Sequence, residues 1–179
     1  MTDNEVIQIF RPLIISGLSD SGMSNVAVVQ SNQPTQQGVL TSPVAYFYKA
    51  FNKRYGWVRR DDEWDADTST MVHTETQWVE AHYRMQVLAT QDPSDIALPT
   101  ASDISNEIAA ILQSSVVIQT LISEGIGVLR ISDISNHYFS NDKDQFEAIP
   151  SFDFVLTYEQ TRVTSSNVIS DYGTAVYPI

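Results

Sequence analysis

A chain of 179 residues with 42% hydrophobic content is long enough to build one domain around a real core, hiding roughly 70% of the surface its unfolded form exposes. Its 22 acidic and 10 basic side chains give a formal charge of −12, which repels duplex phosphate and argues against general nucleic-acid binding by counterion release. Cysteine is absent, which excludes disulfides, thiolate metal sites and cysteine nucleophiles and leaves the fold to packing alone.

The first residues, Met1, Thr2, Asp3, Asn4 and Glu5, lack the positive region of a signal peptide, and apolar runs such as 26–29 and 115–118 fall far short of the ~20 residues a membrane span needs. A soluble protein is expected, with no membrane partner. Val6, Ile9, Phe10, Leu13 and Ile14 then fall on one stripe of a helix that ends near Gly17, with Pro12 inside it as a source of bending or of a later start. Residues 19–38 are polar, apart from a short strand over 26–30, and 33–38 read as a surface loop. The aromatic run 44–51 reads as a strand that ends at a polar turn over 52–57, followed by an acidic loop over 61–67. Residues 70–90 alternate as one long strand, with the cleaner apolar face in its second half, and the strand is expected to project beyond the core.

Thr100 with Asp103 three residues on has the form of a capping box, and it opens a helix whose face carries Ile104, Ile108, Ile111 and Leu112. The apolar character continues over 116–121 to a stop at Gly125. An apolar strand over 127–131 next passes through the polar turn Asp142, Lys143, Asp144 and Gln145 into a second strand, which makes a hairpin. In that second strand Phe152, Phe154, Leu156 and Tyr158 share one face against Ser151, Asp153, Thr157 and Glu159, with only Val155 out of step. The polar segment 163–179 reads as a tail that orders on a partner subunit, leaving one domain over 1–162. The order helix, strands, helix, strands predicts an α+β fold: a mostly antiparallel sheet with two main helices packed on one face.

Catalytic and cofactor signatures are weak throughout. His73, His82 and His137 lack the spacing of a helical zinc pair, no G-x-S-x-G surrounds a serine, and Gly125-Ile126-Gly127 leads into a strand instead of a phosphate-binding helix. The acidic loop lacks the order of a calcium-binding loop. Neither a metal nor a cofactor is expected, and neither is an enzyme. The segment Tyr48, Lys49, Phe51, Lys53, Arg54, Tyr55, Trp57, Arg59 and Arg60 interleaves rings and cations as single-strand binders do. The same alternation fits an amphipathic hairpin with rings in the core. It fits equally well a basic edge meeting the acidic surface of an identical neighbour, which is the preferred reading.

Tyr46-Phe47-Tyr48-Lys49 with Lys53-Arg54-Tyr55-Gly56-Trp57, then Glu75-Thr76-Gln77, Asp92-Pro93, Thr100-Ala101-Ser102-Asp103-Ile104, Leu129-Arg130, Tyr138-Phe139-Ser140-Asn141-Asp142 and Pro150-Ser151-Phe152-Asp153-Phe154 together resemble the tail terminator (neck terminator, tail completion) proteins of tailed bacteriophages. The resemblance runs from about residue 4 to about 160 and rests on the order and spacing of these segments.

It implies a ring-forming α+β subunit, commonly a hexamer, that sits on the last ring of the tail tube. Such a ring ends tube polymerisation and docks the tail to the head connector. The implied partners are further copies of itself, the tail tube protein, the connector or adaptor protein and, in a contractile tail, a sheath terminator. The genome would pass through the lumen without specific binding. The implied location is the virion neck, after synthesis in the host bacterial cytoplasm. A ring needs heterologous contacts, for which Lys53, Arg54, Tyr55, Trp57, Arg59, Arg60, Trp78, Tyr83 and Arg84 are the candidate residues. Asp61, Asp62, Glu63, Asp65 and Asp67 are the candidates for an acidic lumen that repels DNA. The competing readings are a connector adaptor in a 12-fold ring, a small hydrolase or sugar-binding enzyme, and a single-strand binder.

Overall fold

A computed structural model describes residues 1–30, 42–89, 97–140 and 146–167. The first helix, α1 (Asp3–Asp20), starts in a capping box: the Thr2 hydroxyl accepts from the Glu5 amide, and the Glu5 carboxylate accepts from the Thr2 amide at 2.6 Å. It buries Val6, Ile7, Phe10, Ile14 and Leu18, with Ile9 and Leu13 half-buried at the flanks of the stripe. The helix continues through Pro12 and runs past the expected stop at Gly17. Gly17 is there for close approach: a Cβ at this position would lie 2.7 Å from Ile111 Cγ2.

The short strand β1 (Ala27–Gln30) pairs in parallel with β2 (Val44–Asp65), which pairs antiparallel with β3 (Thr70–Leu88). Here the polar turn expected over 52–57 and the acidic loop over 61–67 are both corrected. Residues 52–55 continue the strand opposite Trp78, Val79, Glu80 and Ala81, and pairing resumes at Arg59 after a bulge. Gly56, with φ +64, takes up that irregularity in a conformation other residues avoid. Asp61 to Asp65 are strand residues too, and the reversal comes after them. There Asp65 Oδ1 accepts from the Asp67 amide at 3.0 Å and Asp65 Oδ2 accepts from the Thr68 hydroxyl at 2.8 Å.

The expected second helix is two. α2 (Ala101–Gln113) has the Thr100–Asp103 capping box, and α3 (Ser115–Ser123) starts afresh because Ser114 is extended (φ −65°, ψ 144°) and its hydroxyl caps the Val117 amide. The strand opening at Ile126, β4 (Ile126–Ile131), does not turn directly into its partner. β5 (Ser135–Ser140) intervenes, and both pair antiparallel with the long β6 (Phe146–Asn167), whose final residues 163–167 pair with β3 as far as Thr70. The expected turn over 142–145 and residues 168–179 lie outside the described residues. The sheet order is β1-β2-β3-β6-β4, with β5 also on β6.

Alternation decides which face is covered. Val79, Ala81, Tyr83 and Met85 of β3 stand opposite Tyr158, Leu156, Phe154 and Phe152 of β6, Val87 stands opposite Ala45 of β2, and with Phe47 they join the buried residues of the helices in one core. Phe10 sits at its centre, edge-on to Phe47, Tyr83 and Phe154 at centroid distances of 5.1, 5.3 and 5.6 Å. Each such ring contributes about 1.5–3 kcal/mol of burial. Asp3 pins the start of α1 to the sheet, accepting from Tyr158 Oη at 2.8 Å and pairing with Lys49. Burial works to raise the Asp3 carboxyl, but the bonds from Lys49 and Tyr158 hold it below the ordinary value.

Candidate functional site

Beyond Val79 and Tyr158, the last core-facing residues of their strands, β2, β3 and β6 continue to Asp65, Thr70 and Asn167 as a three-stranded arm. At ~3.3 Å per residue this arm is about 30 Å long. Most of β2 past Phe51 is exposed, and among the exposed large side chains are Phe51, Tyr55, Trp57, Val58, Trp64, Trp78 and Val163. Trp57, carried on the bulge, is 98% exposed. The expected projecting strand is therefore present, and it is one member of a larger feature.

Register sorts the candidate residues onto two faces. Arg54, Arg60 and Asp62 continue the helix side of the sheet, opposite Val79, Glu75 and His73. On that side Arg60 Nε lies 3.3 Å from Glu75 Oε1, and His73 bridges Asp62 Oδ1 at 2.7 Å and Ser166 Oγ at 2.8 Å. Lys53, Tyr55, Arg59, Asp61, Glu63 and Asp65 occupy the other face, with Trp78. The basic candidates thus form no single patch. The acidic candidates divide as well, with Asp61, Glu63 and Asp65 on one face, Asp62 on the other and Asp67 in the turn. Lys53 donates to Tyr55 Oη at 3.1 Å, which holds its ammonium above the ordinary value.

Two further candidates belong to the sheet proper. Tyr83 is 1% exposed and stacked on Phe154 at 5.2 Å, so it is a core residue with no surface to offer a neighbour. Arg84, on the uncovered face, makes a bidentate pair with Asp153 (2.7 and 3.0 Å). That pair raises the guanidinium and keeps the Asp153 carboxyl low.

The same uncovered face holds a groove of about 540 Å³ where the arm leaves the core. Tyr55, Trp57 and Arg59 line it from β2, Thr76, Trp78 and Glu80 from β3, and Thr157 and Glu159 from β6. Glu80 is 6% exposed and makes no hydrogen bond; His82 Nε2 lies 3.7 Å from its Oε2. His82 Nε2 is itself buried without a hydrogen bond, and its ring is stacked on Phe51 at 4.1 Å. Sequence reasoning misses Glu80 because one glutamate among alternating polar residues gives no local sign of burial. Among the described residues, no cluster of histidine and carboxylate side chains is arranged to hold a metal ion, and no helix is long and apolar enough to cross a membrane.

Fold and site together define an α+β protein with a one-sided open sheet and a projecting β arm. The chain belongs to the phage family of the E217 gateway protein gp29, whose model matches residues 5–168. This membership agrees with the resemblance to tail terminators, and the match covers the arm as well as the core. A search among curated proteins finds no match. Solved structures that match include the sheath/tube terminator of an extracellular contractile injection system, PVC, in its extended state, at 8% identity and a TM-score of 0.44. The alignment covers 97% of this chain and 64% of that one, so this chain spans less than two thirds of its length.

Proposed function

We propose that this chain is a structural protein of the phage neck, which caps the tail tube as a homo-hexameric ring, ends tube growth and docks the tail to the head connector. The observation that carries the reading is the arm. A three-stranded extension with Trp57 almost wholly exposed is costly to leave in water and suits a contact with another subunit. Membership in a family named for a phage gateway protein supports the setting.

In this reading the open long edges of the arm and its rings meet the next subunit and the tail tube protein, with no substrate turned over. Lys53, Arg54, Tyr55, Trp57, Arg59, Arg60 and Trp78 lie on the arm and form the contact set, to which Arg84 adds from the neighbouring sheet face. Asp61, Glu63 and Asp65 supply the acidic face toward the passing genome, with Asp67 at the turn, while Asp62 is engaged by His73. A sheath terminator is a further partner if the tail is contractile.

Native mass spectrometry over a range of concentrations tests the proposal. A discrete six-subunit species that is lost in Trp57→Ala supports it. A twelve-subunit species would instead indicate a connector adaptor, and a ring indifferent to arm substitutions would overturn the role given to the arm.

A further inference from the structure

The groove between the core and the arm has a chemistry that its own chain does not use. Among its lining residues is a carboxylate, Glu80, nine-tenths removed from solvent and without a hydrogen bond. A second carboxylate, Glu159, stands on one wall, and the rings of Tyr55, Trp57 and Trp78 stand around them. A buried carboxylate is costly unless a cation meets it, and aromatic faces attract cations stripped of water. Lys53, across the strand from Glu80, turns instead to Tyr55, its Nζ lying 4.8 Å from the ring centroid. Arg59, on the groove wall, reaches toward Asp61 (3.8 Å). His82 Nε2 comes only to 3.7 Å of Glu80 Oε2, beyond hydrogen-bond reach, and neither Lys53 nor Arg59 bonds the carboxylate, so no donor among the described residues satisfies it.

We infer that this groove receives an arginine side chain from a partner protein, the guanidinium pairing with Glu80 and lying against Trp78 and Tyr55. A planar guanidinium can satisfy a carboxylate and stack on a ring at once, which an ammonium does less well. Charge complementarity selects a partner other than a second copy. This chain carries −12, and Arg11, Arg54, Arg59, Arg60 and Arg84 are each engaged by another residue of the same chain, while Arg162 stands directly across from Glu75. A basic segment on a different protein fits better. Only the setting of that partner in the phage neck rests on the function proposed above; the groove chemistry does not.

Two of the three tryptophans line the groove, so intrinsic fluorescence reads it directly. The full-length protein is titrated with N-acetyl-arginine amide and, in parallel, with the citrulline counterpart, which keeps the shape and loses the charge. The expected result is a saturable change with arginine in the millimolar range, at least tenfold weaker with citrulline and at least tenfold weaker in Glu80→Gln, whose circular dichroism matches wild type. Equal responses to the two probes, or an undiminished response in Glu80→Gln, would overturn the inference. Sedimentation velocity of wild type and Glu80→Gln then assigns the occupant. Identical distributions support a different protein, whereas a lost or weakened oligomer would place a second copy in the groove and overturn that assignment. A ring that forms with no arginine response leaves the neck reading standing and removes only the groove.

Discussion

Replacing Gly17 by alanine tests the packing of α1 on α2 through a change of sign. In an exposed helix this substitution stabilises by about 1 kcal/mol. Here the new Cβ would lie 2.7, 2.8 and 2.9 Å from Cγ2, Cγ1 and Cδ1 of Ile111. Ile111 is buried, and its β-branched side chain in a helix has essentially one rotamer, so relief requires the helices to part. Overpacking of this kind costs about 1–3 kcal/mol, which leaves Gly17→Ala destabilised by about 0–2 kcal/mol. In an Ile111→Ala background, itself about 2–5 kcal/mol less stable, all three clashing atoms are gone. There Gly17→Ala should stabilise by up to about 1 kcal/mol. Urea unfolding followed by far-ultraviolet circular dichroism, with the denaturant slope unchanged, yields all four corners of the cycle. An equal effect of Gly17→Ala in both backgrounds would refute the close-approach argument.

Phe10→Ala removes the ring that Phe47, Tyr83 and Phe154 surround, and a loss of about 3–5 kcal/mol is expected in the same unfolding assay. Thr100→Ala deletes the cap whose hydroxyl accepts from the Asp103 amide at 3.1 Å, a loss of about 1 kcal/mol. Asp3 and Asp153 both have folded pKa values below the unfolded 3.8, so their contribution is complete above that value and disappears as pH falls through the folded ones. The urea midpoint should therefore hold steady from neutral pH to about 5 and decline below about 4. In Asp153→Asn that decline should be shallower by ~0.5–1 kcal/mol, a small figure because the Arg84–Asp153 pair is nearly half exposed. Trp57→Ala should leave monomer stability within about 0.5 kcal/mol while abolishing ring assembly, a separation that thermal unfolding and native mass spectrometry read on the same sample.

What the sequence made legible follows from where burial is one-sided. Phe152, Phe154, Leu156 and Tyr158 all lie on the covered face, as their alternation requires, and Val155 is buried on the other. The Thr100 capping box and the α1 stripe are likewise local signals with local causes. Residues 52–65 gave no such signal because the arm is wet on both faces, so neither face selects apolar residues. Their strand character comes from cross-strand partners in β3 that no window of the sequence contains. Gly17 was ambiguous for another reason: glycine marks a helix end and a helix crossing equally well, and only Ile111 decides between them. Tyr83 and Glu80 show the same limit at the site. An aromatic offered as a subunit-contact residue, Tyr83, proved to be a core residue, and an unremarkable glutamate, Glu80, came to line a groove.

Electron microscopy of the tail tube protein from the same phage, polymerised in the presence of this chain, shows whether the ring caps a growing tube. Short tubes, each ended by an added ring, are expected, with unchanged long tubes when Trp57→Ala replaces the wild type. Tubes that grow to the same length with or without the wild-type chain would contradict the capping role.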